Sequence, residues 1–287
     1  MHLISIVGAG AMGSRLARYF KERGFKLIVY DVDAEKARAL ASELKAEAVR
    51  SLRRAAEADI VLVSVPMRAA PEVTAKAIKL SRRGAVVAEI TSLKSNVLSK
   101  ARVELEMRPD VRLLSLHPLF GPGVSTLKGE KVAVVPVVSL EEELKLAREL
   151  LPDCKLMVVD AESHDRAVSY TISLVYLLNL MLAKLLPSSL ELLEELSGTS
   201  YRVQATLAKA LLSQSQSLYA DLLCESRYMP EIIDNMVEEL LKLKDKLGNT
   251  RDVEDEVIKA REKAWEEKQL NEAYKVMYRM LLSINGK

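Results

Sequence analysis

A glycine-rich turn set between an apolar run and a helical one constrains this chain more than any other feature. Ile4-Ser-Ile-Val leads into Gly8-Ala-Gly10-Ala11-Met12-Gly13, and Ser14-Arg-Leu-Ala-Arg-Tyr-Phe-Lys follows with helical spacing of its apolar residues. Gly8 lets a strand turn tightly, Gly10 removes a side chain where a pyrophosphate must approach the backbone, and Gly13 lets helix and strand pack closely. The pyrophosphate would sit on the free N–H groups at the helix N-terminus, with Ala11 and Met12 in the same first turn. A second apolar run from Phe25 to Tyr30 ends in Asp31, 23 residues beyond Gly8. An acid that accepts hydrogen bonds from ribose hydroxyls is expected roughly 20 residues on. Its charge repels a 2′-phosphate, and no arginine follows directly in Val32-Asp33-Ala34. NAD is therefore expected, with NADP the less favoured cofactor.

Further apolar runs alternate with amphipathic stretches: 59–66, 84–90, 111–116, 131–138 and 155–159. The run 59–66 is continuously apolar, as in a strand covered on both faces of a parallel sheet. Alternation of this kind predicts an α/β fold, a doubly wound Rossmann sheet with right-handed crossovers over residues 1–160. Its ligand crevice should lie at the carboxyl ends of the strands. Ser64-Val-Pro66 would line the cofactor channel there, and the chemistry is expected in the loops after Val65, Ile90 and Leu116.

From Glu162 onward no strand is evident, and residues 161–287 read as an all-helical domain for substrate binding and dimerisation. Thr171–Leu186 is apolar nearly all round, Asn179 and Lys184 excepted. It falls short of the ~20 residues of a membrane span and has polar interruptions, so a buried helix of a helical core or dimer is expected. Further helices are predicted over 190–196, 201–212, 216–226, 229–247 and 253–284.

The most informative stretch outside the glycine turn is His117-Pro-Leu-Phe-Gly121-Pro-Gly123, read as an irregular loop after a strand. An imidazole with a pKa of roughly 6.5 can take and return a proton near neutrality, so His117 is the candidate base. His2 and His164 lack that setting. Ser92, in Glu89-Ile-Thr-Ser-Leu-Lys94, could hydrogen-bond a substrate hydroxyl and hold His117 in the useful tautomer, and Lys94 could favour an anionic substrate. The alternative is a helix cap with a solvated lysine. No His/Cys/Asp/Glu cluster has metal-ligand spacing, so no metal is expected.

Taken together, the glycine turn, the E-I-T-S-L-K turn, H-P-L-F-G-P, Ser163-His-Asp165 and Tyr201-Arg202 resemble the prephenate dehydrogenase family of tyrosine biosynthesis. So do Ser213-Gln214 and Leu218-Tyr-Ala-Asp221, which resemble the branch often fused to chorismate mutase. No mutase segment is expected here, since the chain starts on the first Rossmann strand. The resemblance implies oxidative decarboxylation of prephenate or arogenate, with His117 as base and Ser92 as its hydrogen-bonding partner. It also implies a dimer through the helical domain. Where members often carry Leu-Pro-His this chain has Leu174-Val-Tyr176, and where the related branch places a substrate-binding arginine it has Ala210. Arg202 is then the candidate carboxylate clamp, Lys209 an auxiliary cation and Tyr176 a substrate neighbour.

Rival readings are a β-hydroxyacid dehydrogenase or imine reductase, a short-chain dehydrogenase and a non-catalytic NAD sensor. The first lacks its interdomain lysine, since none lies between Asp160 and Lys184, and no tyrosine begins the Tyr-x-x-x-Lys of the second. A formal charge of +2, with no basic tract interleaved with aromatics, gives no reason to expect nucleic acid. Two isolated cysteines, Cys154 and Cys224, fit a reducing cytoplasm, and no signal peptide is expected from the N-terminal run.

Overall fold

The computed structural model describes residues 2–187 and 191–284. The first part alternates β1 (Leu3–Val7), α1 (Ala11–Glu22), β2 (Lys26–Tyr30), α2 (Ala34–Glu43), β3 (Glu47–Ala48), α3 (Leu52–Ala55), β4 (Ile60–Val63), α4 (Ala70–Leu80), β5 (Val86–Glu89) and α5 (Ser95–Met107). It continues through β6 (Arg112–Pro118), β7 (Lys131–Val134), α6 (Leu140–Leu150), β8 (Lys155–Val158) and α7 (Ala161–Val168). The strands form one sheet in the order β3-β2-β1-β4-β5-β6-β7-β8. Six of its strands, from β3 to β6, run parallel in the doubly wound order. β7 turns back antiparallel to β6, and β8 is parallel to β7. The two-residue strand β3 is too short to leave a pattern in the sequence.

The apolar runs are continuous because both faces of the sheet are covered. Leu62, Val86, Ala88 and Leu114 pack with Leu16 and Phe20 of α1, Leu40 of α2 and Ala147 of α6 on one face. Val61, Val63, Val87 and Leu113, their neighbours along the same strands, pack with Ala77 and Ile78 of α4 and Val97 and Leu98 of α5 on the other. Each fully buried Leu, Ile or Val contributes roughly 1.5–3 kcal/mol, so a polar substitution at any of these positions costs more than a surface contact can return.

Packing divides the described chain between Val168 and Ser169, not at 160 as the sequence suggested. α7 belongs with the sheet because its buried His164 and Asp165 bond to groups there. The second unit opens with a π turn, Ser169–Ser173, and continues through α8 (Leu174–Leu185), α9 (Glu191–Glu195), α10 (Thr199–Leu212), α11 (Gln216–Cys224), α12 (Met229–Lys246), α13 (Thr250–Ala264) and α14 (Glu267–Ile284). Its small core joins Leu177 of α8 to Met229 and Ile232 of α12. Asn179 accepts a 2.8 Å hydrogen bond from Gln204 of α10 and donates to the Val175 carbonyl, which explains an amide on an apolar helix.

Two expectations about helices are corrected. The single helix read over 253–284 is two, because Trp265 is extended and the Glu266 N–H is capped by the Gln269 side chain at 2.9 Å. The helical run Ala161–Leu185 has 25 residues, long and apolar enough by length and composition to cross a membrane, so the argument from shortness does not hold. Its first turns, however, carry His164 and Asp165, buried in a polar network that hydrocarbon would not supply.

Candidate active site

The strand order reverses between β1 and β4, and the glycine turn lies at that switch point. Gly8 has φ +106°, and a Cβ on it would lie 2.1 Å from the Ser64 carbonyl oxygen just beyond β4. A Cβ on Gly13 would lie 2.0 Å from the Gly8 carbonyl. These two glycines are required by the protein's own packing. Gly10 is different: a Cβ there would meet no atom within 4 Å, so it leaves open space in front of the first turn of α1. That opening, together with backbone N–H groups unpaired within the helix, fits a pyrophosphate. Ala11 and Pro66 are exposed around it, and Met12 and Ser64 half-buried. At the end of β2, Asp31 accepts from the Ala9 N–H at 2.7 Å and from the Asp33 N–H at 2.8 Å. Each carboxylate oxygen keeps a lone pair for a ribose hydroxyl.

Along the same carboxyl edge, His117 is not on a loop. It is the penultimate residue of β6, opposite Ala133 in the antiparallel register. The chain beyond it is held in place by α1, since buried Arg15 donates to the carbonyls of Val124 and Ser125 at 3.0 and 3.2 Å. Nδ1 of His117 lies 2.9 Å from Nε2 of His164, and Nδ1 of His164 lies 2.9 Å from Oδ1 of Asp165. All three side chains are buried. Burial first, then the Lys94 charge and His164, pushes the His117 pKa well below the usual 6.5, with Asp165 opposing.

Ser92 is half-buried in the turn after β5, and the group that stands at Nδ1 of His117 is His164 of α7. Lys94 does not face an anion from solvent. It is fully buried, its ammonium 2.8 Å from Glu89 Oε1 and 2.5 Å from the Leu116 carbonyl. Glu89 also accepts from Ser115 Oγ and the Thr91 N–H, at 2.5 and 2.8 Å. Burial pulls the Lys94 pKa down while Glu89 pulls it up, and the net shift is downward.

In the helical unit, Arg202 is half-buried on α10. Lys209 is exposed on the same helix and faces Glu194 at 3.4 Å. Tyr176 of α8 packs edge-to-face on Tyr219 of α11 with ring centroids 4.8 Å apart. Its pKa is raised by burial and by that neighbour. Among the described residues no group of three His, Cys, Asp or Glu side chains is placed to hold a metal ion.

His164 and Asp165 are the site residues that sequence reasoning missed. Their signal is adjacency: a carboxylate next to a histidine at a helix start can both orient that imidazole and cap another helix.

A family model described as the nucleotide-binding domain of prephenate dehydrogenase matches residues 16–160, more than half of the chain. A probable arogenate/prephenate dehydrogenase of Methanocaldococcus jannaschii is 28% identical over 260 residues, covering 85% of this chain and 58% of that protein. The T-protein of Haemophilus influenzae is 26% identical over 242 residues, covering 82% of this chain and 59% of that protein. The chain thus spans less than two thirds of the length of these curated relatives. Among solved structures, prephenate dehydrogenase from A. aeolicus in complex with hydroxyphenyl propionate and NAD+ shares the fold with a TM-score of 0.73 and 19% identity, over 98% of both chains.

Proposed function

The chain belongs to the prephenate dehydrogenase family, and from that premise we propose that it is an NAD-dependent prephenate dehydrogenase of tyrosine biosynthesis. The reaction is oxidative decarboxylation of prephenate to 4-hydroxyphenylpyruvate in the cytoplasm. The observation that carries the reading is a buried imidazole with one nitrogen held by a partner, on the same sheet edge as an open glycine cradle. Bound NAD+ supplies the hydride acceptor. Gly8, Gly10, Ala11, Met12 and Gly13 shape the pyrophosphate cradle, Asp31 takes the ribose hydroxyls, and Ser64 and Pro66 border the channel. His117 takes the proton of the substrate 4-hydroxyl at Nε2 as hydride leaves ring carbon 4. The bond from the ring to its carboxylate then breaks, releasing CO2, its electron pair completes the aromatic ring as a phenolate, and the phenolate oxygen takes the proton back from His117. A base of lowered pKa is unprotonated at neutral pH and ready for this step.

Arg202 is the carboxylate clamp in this reading, since its fork can bond a carboxylate bidentately, and Tyr176 is a substrate neighbour. The active unit is a homodimer through the helical domain. Arogenate, which carries an amine in place of the keto group, is the second reading. The pairing of both substrates in the printed name of the M. jannaschii relative favours keeping it, and so does Tyr176 where members often carry histidine.

The test is His117→Asn, which keeps a polar side chain and removes the proton acceptor. Turnover of prephenate or arogenate should fall roughly 100-fold or more while NAD affinity holds. Near-normal turnover would assign His117 a structural role and reject the reading.

A further inference from the structure

We infer that His164 is a positioning residue that sets the tautomer of His117, holding its Nδ1 as a donor so that Nε2 presents a lone pair to the reacting proton. The identity of that proton rests on the function proposed above; the tautomer itself rests on hydrogen-bond inventory alone.

The inventory starts at Asp165. Its Oδ1 accepts from the Lys94 N–H at 2.7 Å and faces His164 Nδ1 at 2.9 Å. Its Oδ2 accepts from the Ser95 N–H at 2.8 Å and Ser95 Oγ at 2.6 Å. Burial opposes the charge of this carboxylate, but hydrogen bonds from His164, Ser95 and the Lys94 N–H hold its pKa below the usual carboxylate range. An ionised carboxylate only accepts. The carboxylate is also fixed in place, because Lys94 at the N-cap of α5 offers no side-chain cap and Asp165 fills that role from α7.

Nδ1 of His164 must therefore carry the proton. An uncharged imidazole has one donor and one acceptor, so Nε2 of His164 accepts. The group 2.9 Å away is Nδ1 of His117, which must in turn carry its proton. A free histidine side chain in water prefers the opposite form, protonated at Nε2. Two fixed partners in series reverse that preference. The rings meet edge to face at 71° with centroids 5.1 Å apart, so the contact also fixes the plane of His117. The charged groups around the pair are Asp165, and Lys94 with its partner Glu89. A proton arriving on Nε2 makes His117 a cation whose Nδ1–H still points at His164.

The chain contains three histidines, so the full-length protein labelled with 15N-histidine gives a spectrum simple enough to assign. At mildly alkaline pH, two-bond 1H–15N correlations should show His117 and His164 as Nδ1–H tautomers. His164→Leu removes the acceptor and should return His117 to the Nε2–H form. Its kcat should fall roughly 100-fold, the size of a general-base contribution, with substrate KM and NAD affinity little changed. His164→Gln, whose amide oxygen can accept from His117, should recover part of both the tautomer and the rate. An Nε2–H tautomer at His117 in the unaltered protein would overturn the inference even if His164→Leu failed to fold. An unchanged tautomer and kcat in a folded His164→Leu would overturn it too. The expected tautomers in a protein that turns over neither substrate would leave the positioning role standing and reject the function.

Discussion

Lys94 closes a strand turn among polar neighbours, and by residue type alone it reads as a cation for an anionic substrate. Burial decides otherwise. With its ammonium on Glu89 and no exposed surface, it is half of an ion pair whose separation leaves an uncompensated charge inside the protein. Removing one partner of such a pair costs roughly 3–5 kcal/mol. Lys94→Ala should therefore destabilise the protein by about that amount in urea unfolding. The same change removes a charge that opposes protonation of His117. A lowered pKa keeps the base free to a lower pH than an ordinary imidazole, so the acid limb of turnover, expected low in the unaltered protein, should move upward in this variant. Unchanged stability with a raised KM would restore the anion-site reading. What the residue types made legible was the chemistry available, an imidazole and a glycine cradle. The partner of the imidazole was not legible, because His164 is 47 residues from His117 and only the placement of α7 joins them.

At the scale of elements, β1, α1 and β2 could be read directly, since apolar runs covered on both faces and a glycine turn between them admit few alternatives. Elements that depend on partners were harder to read. β3 is defined by pairing with β2, and His117 lies in a strand only because β7 pairs back along its end. The break between α13 and α14 has neither glycine nor proline, and it is set by a glutamine cap. The helical elements also carry the clearest unsatisfied demand. On α8 only Leu177 and Asn179 are buried, and Leu178 and Leu185 remain 48% and 77% exposed. α13 and α14 bury no residue, and Ile258, Trp265, Met280 and Leu282 stand exposed. Apolar surface on this scale marks an interaction surface, and the proposed homodimer, two-fold by default, would cover it. Light scattering at micromolar concentration should give twice the 31.9 kDa chain mass. A monomer would contradict the dimer proposed here.

For the whole molecule, the proposed hydride and proton transfer falls within the sheet-containing unit, at the glycine cradle, Asp31 and His117. The fold class followed from periodicity, whereas the place where the units divide did not. α7 looks like the start of the helical region in sequence and belongs to the first unit through His164 and Asp165. The central claim is that this constellation oxidises and decarboxylates a cyclohexadienol. The direct measurement is the stoichiometry of NADH and CO2 formed by the purified protein from prephenate, and in parallel from arogenate, with NADP substituted for NAD as a control. The account predicts one NADH and one CO2 per molecule of substrate consumed, 4-hydroxyphenylpyruvate as the product from prephenate, and much slower reaction with NADP because Asp31 repels its 2′-phosphate. NAD binding without formation of NADH or CO2 from either substrate would contradict it.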